Sequence, residues 1–337
     1  VYKRQALNLM GTPSDVIEQA VLYLRIYFGG MPFILIYNFG SAVLRSKGDS
    51  RRPMYSLFSA GILNVLLNLL LVIVFHLGVA GVAIATVISN ALSAALVIWF
   101  LMTEEPLFRF KLQSLCLDKT SLSSILMVGV PAGIQSMVFS LSNVCIQSAI
   151  NSFGTITMAG STDAWYFEAF AYFMVSAFAQ TAVTFTSQNF GAGNQERCKK
   201  IFNMCMASSL LFSGIMVTLF EFGQHFFIRL YTTDEAVISA ALIRMSHVLI
   251  LEWMPSTYEI SGSALRGMGH SVLPAMITIL GTCVFRILWV FTVFARFHDF
   301  GVLMTAYPVS WVLTGSVMIA AYYIIRRKLF RVSPLKA

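Results

Sequence analysis

Long apolar runs alternate along the chain with short polar breaks. Nine runs, 20–44, 53–75, 79–102, 122–150, 155–187, 196–230, 235–265, 272–296 and 302–325, reach the roughly 20 residues that a helix needs to cross a hydrocarbon layer. The second, third, fourth and ninth contain no Asp, Glu, Lys or Arg. A helix satisfies its own backbone groups in lipid. The period-2 alternation of a membrane barrel is absent. The pattern therefore predicts an all-α polytopic membrane protein with nine transmembrane helices. Several runs exceed the minimum length, which permits tilt without fixing it.

The polar breaks carry a second pattern. Arg45, Lys47, Arg51 and Arg52 follow the first run, Arg109, Lys111 and Lys119 the third, and Arg197, Lys199 and Lys200 the fifth. Arg266 follows the seventh, and Arg326, Arg327, Lys328, Arg331 and Lys336 follow the ninth. Sixteen basic residues thus fall on one side, against Arg229 and Arg296 on the other. Basic residues gather on the cytoplasmic side of spanning helices. The C-terminus is accordingly expected in the cytoplasm of a multi-pass plasma (inner) membrane protein.

A shift of 221 residues lays the first run over the seventh, pairing Ile17/Ile238, Tyr37/Tyr258, Leu44/Leu265, Arg45/Arg266, Gly48/Gly269, Ser50/Ser271 and Pro53/Pro274. In this shared pattern an Arg complements the helix C-terminus, a Gly turns the chain and a Pro opens the next helix. The second copy holds six runs, so the repeat predicts two six-helix lobes related in parallel, with three helices of the first present. Parallel repeats frame central sites in transporters. The expected organisation is 6–103 as the C-terminal half of the N-lobe, 104–120 as a cytoplasmic linker, 121–326 as the C-lobe and 327–337 as a basic cytoplasmic tail. Val1–Gln5 looks like an adapter-derived scar, and the chain like a reading frame truncated at its start.

Composition changes the picture only by exclusion. With 57% hydrophobic and 11% charged residues and a mean hydropathy of +0.76, the chain lacks the polar surface of a soluble domain. Its basic excess is a topology signal, so no nucleic-acid partner is expected. Cys116, Cys145, Cys198, Cys205 and Cys283 are scattered, which implies neither a zinc site nor a redox pair. No HExxH, GxSxG or DxxxD occurs and the five His are isolated, so no catalytic or metal-binding residue is assigned and no enzyme is expected.

Several motifs resemble the multidrug and toxin extrusion (MATE) family. They are Leu-Arg-Ser-Lys-Gly-Asp-Ser-Arg-Arg-Pro (44–53), the helix of Asn64, Gly-Val-Ala-Gly-Val-Ala-Ile-Ala-Thr (78–86) and Val-Gly-Val-Pro-Ala-Gly-Ile-Gln (128–135). Gln-Asn-Phe-Gly-Ala-Gly-Asn (188–194) and Ser-Gly-Ser-Ala-Leu-Arg-Gly-Met-Gly (261–269) complete the set in the family's order. The resemblance implies two V-shaped lobes, alternating access, and export of small cationic amphiphiles against inward Na⁺ or H⁺, with no other cofactor, by a monomer in the bilayer. A lipid-linked precursor flippase of the same superfamily is the alternative. In the family pattern the position of Asn68 is often acidic, a departure that weakens an N-lobe cation site.

Charge inside a membrane needs a partner, water or a function. Glu252 and Glu259 lie in the seventh run, seven residues apart, and a continuous helix would put them on one face. A carboxylate in a cavity can hold either a cationic drug or a coupling ion, and their competition gives antiport without a covalent step. Arg286 is the expected cation, with Glu259–Arg286 as a candidate ion pair. Arg244 and Glu168 are further candidates, Asp163 and Glu221 are read as solvated, and Arg25 has no nameable partner. Asn64 and Asn68 share a helix face, and Gln135, Asn143, Gln147 and Gln180 offer uncharged oxygen ligands. Tyr37 and Trp289 are candidate lining aromatics.

Overall fold

The computed structural model describes residues 17–105, 109–111, 113, 116 and 118–332. The described residues are helical throughout the apolar runs and divide into two compact units, Val1–Leu117 and Asp118–Ala337. Residues 1–5 and 333–337 lie outside the described set, and with them the adapter-like start and the end of the tail.

The first unit holds α1 (Ile17–Gly29), α2 (Met31–Ser46), α3 (Arg51–Val74) and α4 (Gly78–Met102). α1 and α2 are bent by 45° at Gly30 and together make one broken span. α4 is the centre, packed against all three others. Gly30 and Gly40 lie directly against Val87 and Val97 of α4, respectively, where a Cβ would collide with a valine methyl. Asp49 accepts hydrogen bonds from the backbone N–H of Arg51 (2.9 Å) and Arg52 (3.2 Å), which starts α3 where the sequence places Pro53.

The second unit holds α5 (Lys119–Asn151), α6 (Thr155–Gly191), α7 (Gln195–Phe222), the short α8 (Gln224–Arg229), α9 (Glu235–His247), α10 (Pro255–Gly267), α11 (Val272–Phe297) and α12 (Phe300–Val332). Side-chain caps start three of these helices. Asp118, Asn194 and Asp234 accept from Ser121 (2.7 Å), Arg197 (3.1 Å) and Ala236 (2.9 Å). The Ser121 side chain first, and then its backbone N–H, favour the charged carboxylate and hold Asp118 below the ordinary Asp value. The basic residues 327–332 continue α12 rather than forming a separate tail, and the sixth run stops at Phe222 because Gly223 breaks it before α8.

Seven described helices are long and apolar enough to span a membrane, and the bent pairs α1–α2 and Glu235–Leu251 with α10 bring the number to nine. Many large apolar side chains point outward, Phe58, Met127, Phe212 and Phe291 among them. In a multi-pass membrane protein those faces meet lipid.

The repeat read from the sequence has a backbone counterpart. Both bent pairs turn through 45°. A π-helical stretch begins at Leu69 in α3 and at Val290 in α11, 221 residues apart. Gly48 (φ 96°) and Gly269 (φ 84°) close α2 and α10 with the same pair of backbone bonds, in which Asp49 and His270 donate to Leu44 and Leu265. Each unit thus carries the same bend, the same π turn and the same left-handed glycine.

Candidate functional site

Within the second unit, helices α5, α6, α9, α10, α11 and α12 and the break before α10 enclose a cavity of about 620 Å³. The break has a local cause. After a single 3₁₀ turn (Leu249–Leu251) the chain reaches Pro255, whose ring has no N–H for the preceding turn, and the helix restarts there in a new direction. Glu252 sits in this break with 6% exposure and lines the cavity. Its carboxylate has no hydrogen-bond or ion-pair partner among the described residues.

Close packing sets the second charged feature. Gly160 of α6 lies so near α9 that an added Cβ would stand 2.4 Å from the carbonyl oxygen of Val237. About two turns further along both helices, Arg244 meets Glu168. Its Nε and Nη2 donate to the two carboxylate oxygens at 2.7 Å each, and its Nη1 donates to Ser161 Oγ at 2.7 Å. Both side chains are buried. The geometry is the parallel bidentate pair that a guanidinium makes best.

Arg286, in the middle of α11, is 2% exposed. Its Nε donates to Ser310 Oγ (3.0 Å) and its guanidinium lies over the Tyr307 ring at 4.3 Å. Tyr307 also faces Arg244, at 5.7 Å, so one aromatic ring serves two cations. The cavity wall thus holds two carboxylates and two guanidiniums, Glu168 and Arg244 bound to each other, Glu252 and Arg286 not.

The expected Glu259–Arg286 pair does not form. Glu259 lies behind the wall, where Tyr172 donates to it (3.2 Å) and Arg266 approaches at 3.7 Å, while Arg286 is held by Ser310 and Tyr307. Glu252 and Glu259 share no continuous helix face, because the break at Pro255 separates them. Asn143 and Gln147 line the cavity with Glu168, Glu252 and Arg286. Gln135 and Gln180 do not; Gln180 donates instead to Thr184 on its own helix. Trp289 donates to the Val302 carbonyl (3.0 Å) and ties α11 to α12 rather than lining the site.

In the first unit, Asn68 donates to Asn64 (3.0 Å) and Tyr37 donates to the Pro53 carbonyl (3.3 Å). Arg25 is exposed and Asp163 half-buried. Glu221 is not freely solvated. It lines a groove beside Ile250 and Trp253, and its Oε2 is buried without a hydrogen-bond partner among the described residues. Sequence reasoning missed Ser161, Tyr307 and Ser310, the residues that hold the two arginines. Ser161 and Glu168 stand two helical turns apart on one strip of α6, a spacing that was readable once Arg244 needed a partner.

Residues 1–70 and 131–292 match the model of the MatE family. A probable multidrug resistance protein of Bacillus subtilis, YoeA, is 28% identical over 286 residues, covering 83% of this chain and 62% of that protein. A second from the same organism, YpnP, is 34% identical over 191 residues, covering 57% and 42%. The chain therefore spans about two-fifths to three-fifths of the length of these curated relatives. Among solved structures, an outward-facing multidrug resistance MATE transporter superposes with a TM-score of 0.88 at 19% identity, covering 96% of this chain and 73% of that one. A MOP superfamily transporter from Pyrococcus furiosus superposes with a TM-score of 0.90 at 18% identity, covering 97% and 74%. At these identities the superpositions establish the fold.

Proposed function

The chain belongs to the MatE family, a family of transporters and not of enzymes, and we propose that it serves cation-coupled export of drugs by alternating access. Glu252 carries the reading. It is a buried carboxylate, facing a cavity, with no hydrogen-bond or ion-pair partner among the described residues, placed where a helix is already broken. A buried unpaired carboxylate is costly and binds whichever cation reaches it. A proton or Na⁺ relieves that cost from one side of the membrane, and a cationic drug relieves it from the other. Each displaces the other, which is the exchange an antiporter needs.

The remaining wall residues fit subordinate tasks. The Glu168–Arg244 pair fixes α6 against α9 and keeps both charges neutralised, so that Glu252 alone responds to the ion. Asn143 and Gln147 add uncharged oxygens near it. Trp165 and Trp311 supply flat apolar surface for aromatic amphiphiles. A wall with equal numbers of carboxylates and guanidiniums supports this reading better than a lipid-precursor flippase, which would call for a cationic groove. The protein works as a monomer with its C-terminus in the cytoplasm of the plasma membrane.

The test is ethidium efflux from cells producing the protein, with imposed Na⁺ or H⁺ gradients. Glu252→Gln is expected to abolish the dependence on the gradient while membrane insertion stays normal. Gradient-driven efflux that survives in Glu252→Gln removes this residue from the mechanism.

A further inference from the structure

We infer that the second unit carries a lipid site apart from its cavity, a groove on α7 that seats one phospholipid whose primary ammonium headgroup is held by the Glu221 carboxylate. The groove measures about 840 Å³ and is lined by α7 between Leu210 and Phe222 and by Ile250 and Trp253 of the break before α10. Glu252, next to Trp253 in the chain, faces the cavity instead. The broken stretch is thus a wall with the cavity on one side and the groove on the other.

The groove has the shape of a chain site. Leu211, Gly214, Thr218 and Glu221 recur at helical spacing and form one strip of α7. Gly214 hollows that strip, since a Cβ added there would meet nothing within 4 Å. Thr218 turns its hydroxyl back to the Gly214 carbonyl (2.7 Å), which occupies its one O–H donor. From Leu210 to Glu221 the strip runs about 16 Å, close to one leaflet's half of a hydrocarbon core roughly 30 Å thick. Leu211, Ile215, Leu219 and Phe222 stand exposed along it, on a face that meets lipid.

The lining carries one charge, at the end of the strip. Glu221 Oε2 is buried and has no hydrogen-bond partner among the described residues, and the next arginine along the chain, Arg229, is taken by Glu235 (3.1 Å). A buried acceptor left unsatisfied is costly, and a ligand that brings a donor removes the cost. An ethanolamine headgroup brings a positive charge and three N–H donors, as a lysine ammonium does. A choline headgroup brings the charge without an N–H, and an anionic headgroup is repelled. Glu221 lies at the end of α7 opposite Arg197, Lys199 and Lys200. In the orientation proposed above, that end belongs to the outer leaflet.

Native mass spectrometry of the detergent-purified 337-residue protein counts bound lipids and gives their Kd. The titrants are dioleoyl phosphatidylethanolamine, its N-monomethyl and N,N-dimethyl forms, and dioleoyl phosphatidylcholine. One ethanolamine lipid is expected to bind about tenfold more tightly than the choline lipid, the yield of one charge-assisted hydrogen bond, with the methylated forms between them in order. Glu221→Gln is expected to level the series while one lipid still binds, and Gly214→Leu, which fills the groove, to weaken all four. Equal affinity across the series in the unmodified protein overturns the inference, as does a preference that survives Glu221→Gln or binding untouched by Gly214→Leu. A preference that disappears in Glu252→Gln puts the ammonium in the cavity and overturns it too. If Glu221→Gln does not fold, judged by its tryptophan-monitored melting, the methylation series and Gly214→Leu decide.

Discussion

The two units repeat a backbone but not a chemistry. Each has a span bent by 45°, a π turn and a left-handed glycine at positions 221 residues apart. The charges do not follow. Counting back by the same interval, Arg244 corresponds to Tyr23, Glu252 to Met31 and Arg286 to Val65. In the described part of the first unit the buried charge is instead Glu104, just beyond the end of α4, where Lys47 (2.6 Å) and Arg52 hold it. Its counterparts in the second unit are Ile325, Met268 and Leu273, so the clasp is not repeated either. A bend by itself is therefore a feature of the architecture. It becomes a candidate binding site only where a charge stands in it.

The largest expected effect comes from breaking the second unit's ion pair. Arg244→Ala leaves Glu168 buried and alone, which costs about 3–5 kcal/mol. Tyr23→Ala, at the corresponding place in the first unit, costs much less. Unfolding in detergent, followed by tryptophan fluorescence, measures both, and equal losses would erase the contrast. Next in size is a transplant. Met31→Glu puts a carboxylate in the first bend, where α4, the helix at the centre of the unit, carries no basic residue to answer it, and membrane insertion should suffer by about 2.5–3.5 kcal/mol. A glycosylation reporter fused after α2 gives the insertion fraction, and unimpaired insertion would mean that the first bend is already hydrated.

The smallest effect concerns the clasp. Lys47 chiefly, with Arg52, holds the Glu104 carboxyl below its ordinary value of 4.5, while Glu104 raises Lys47 above 10.5. For a carboxylate depressed in the folded state, the stabilisation is complete above 4.5 and disappears as the pH falls through the lower folded value. For Lys47 it is complete below 10.5 and disappears as the pH rises through its raised value. Hydrogen exchange of α4 should therefore accelerate in acid below 4.5, and Glu104→Gln should flatten that response. α12 of the second unit has no such clasp and serves as the control. Identical acid responses in α4 and α12 would show that Glu104 is not the cause.

How legible was this in the sequence? Span number and class followed from hydropathy, because every spanning helix needs its own apolar run. The repeat followed from Leu-Arg-x-x-Gly-x-Ser-x-x-Pro, since a left-handed turn between two helices leaves few residue choices. The bends did not follow. Pro255 was visible, but the apolar run continued through it, and hydropathy does not register a change of direction. Ion-pair partners were harder still. Glu259 and Arg286 suited each other as charges, yet which charges meet depends on how closely helices approach. That was decided by Gly160, which brings α6 onto α9 and gives Arg244 to Glu168. Arg286 was then left to a serine and an aromatic ring, neither of which announces itself in a sequence.

The shared bend also implies an order of events. What both copies possess is most simply inherited from the half-length ancestor that was duplicated, and what one copy possesses came afterwards. The broken span, with its glycine turn, is therefore the older feature. Glu252, Arg244 and Arg286, whose positions in the first unit hold Met31, Tyr23 and Val65, are by the same reasoning later additions. On that account the joint came first and its cargo specificity was written onto it later, so substitutions at Glu252 and Arg286 should change what the protein recognises more readily than how its chain folds.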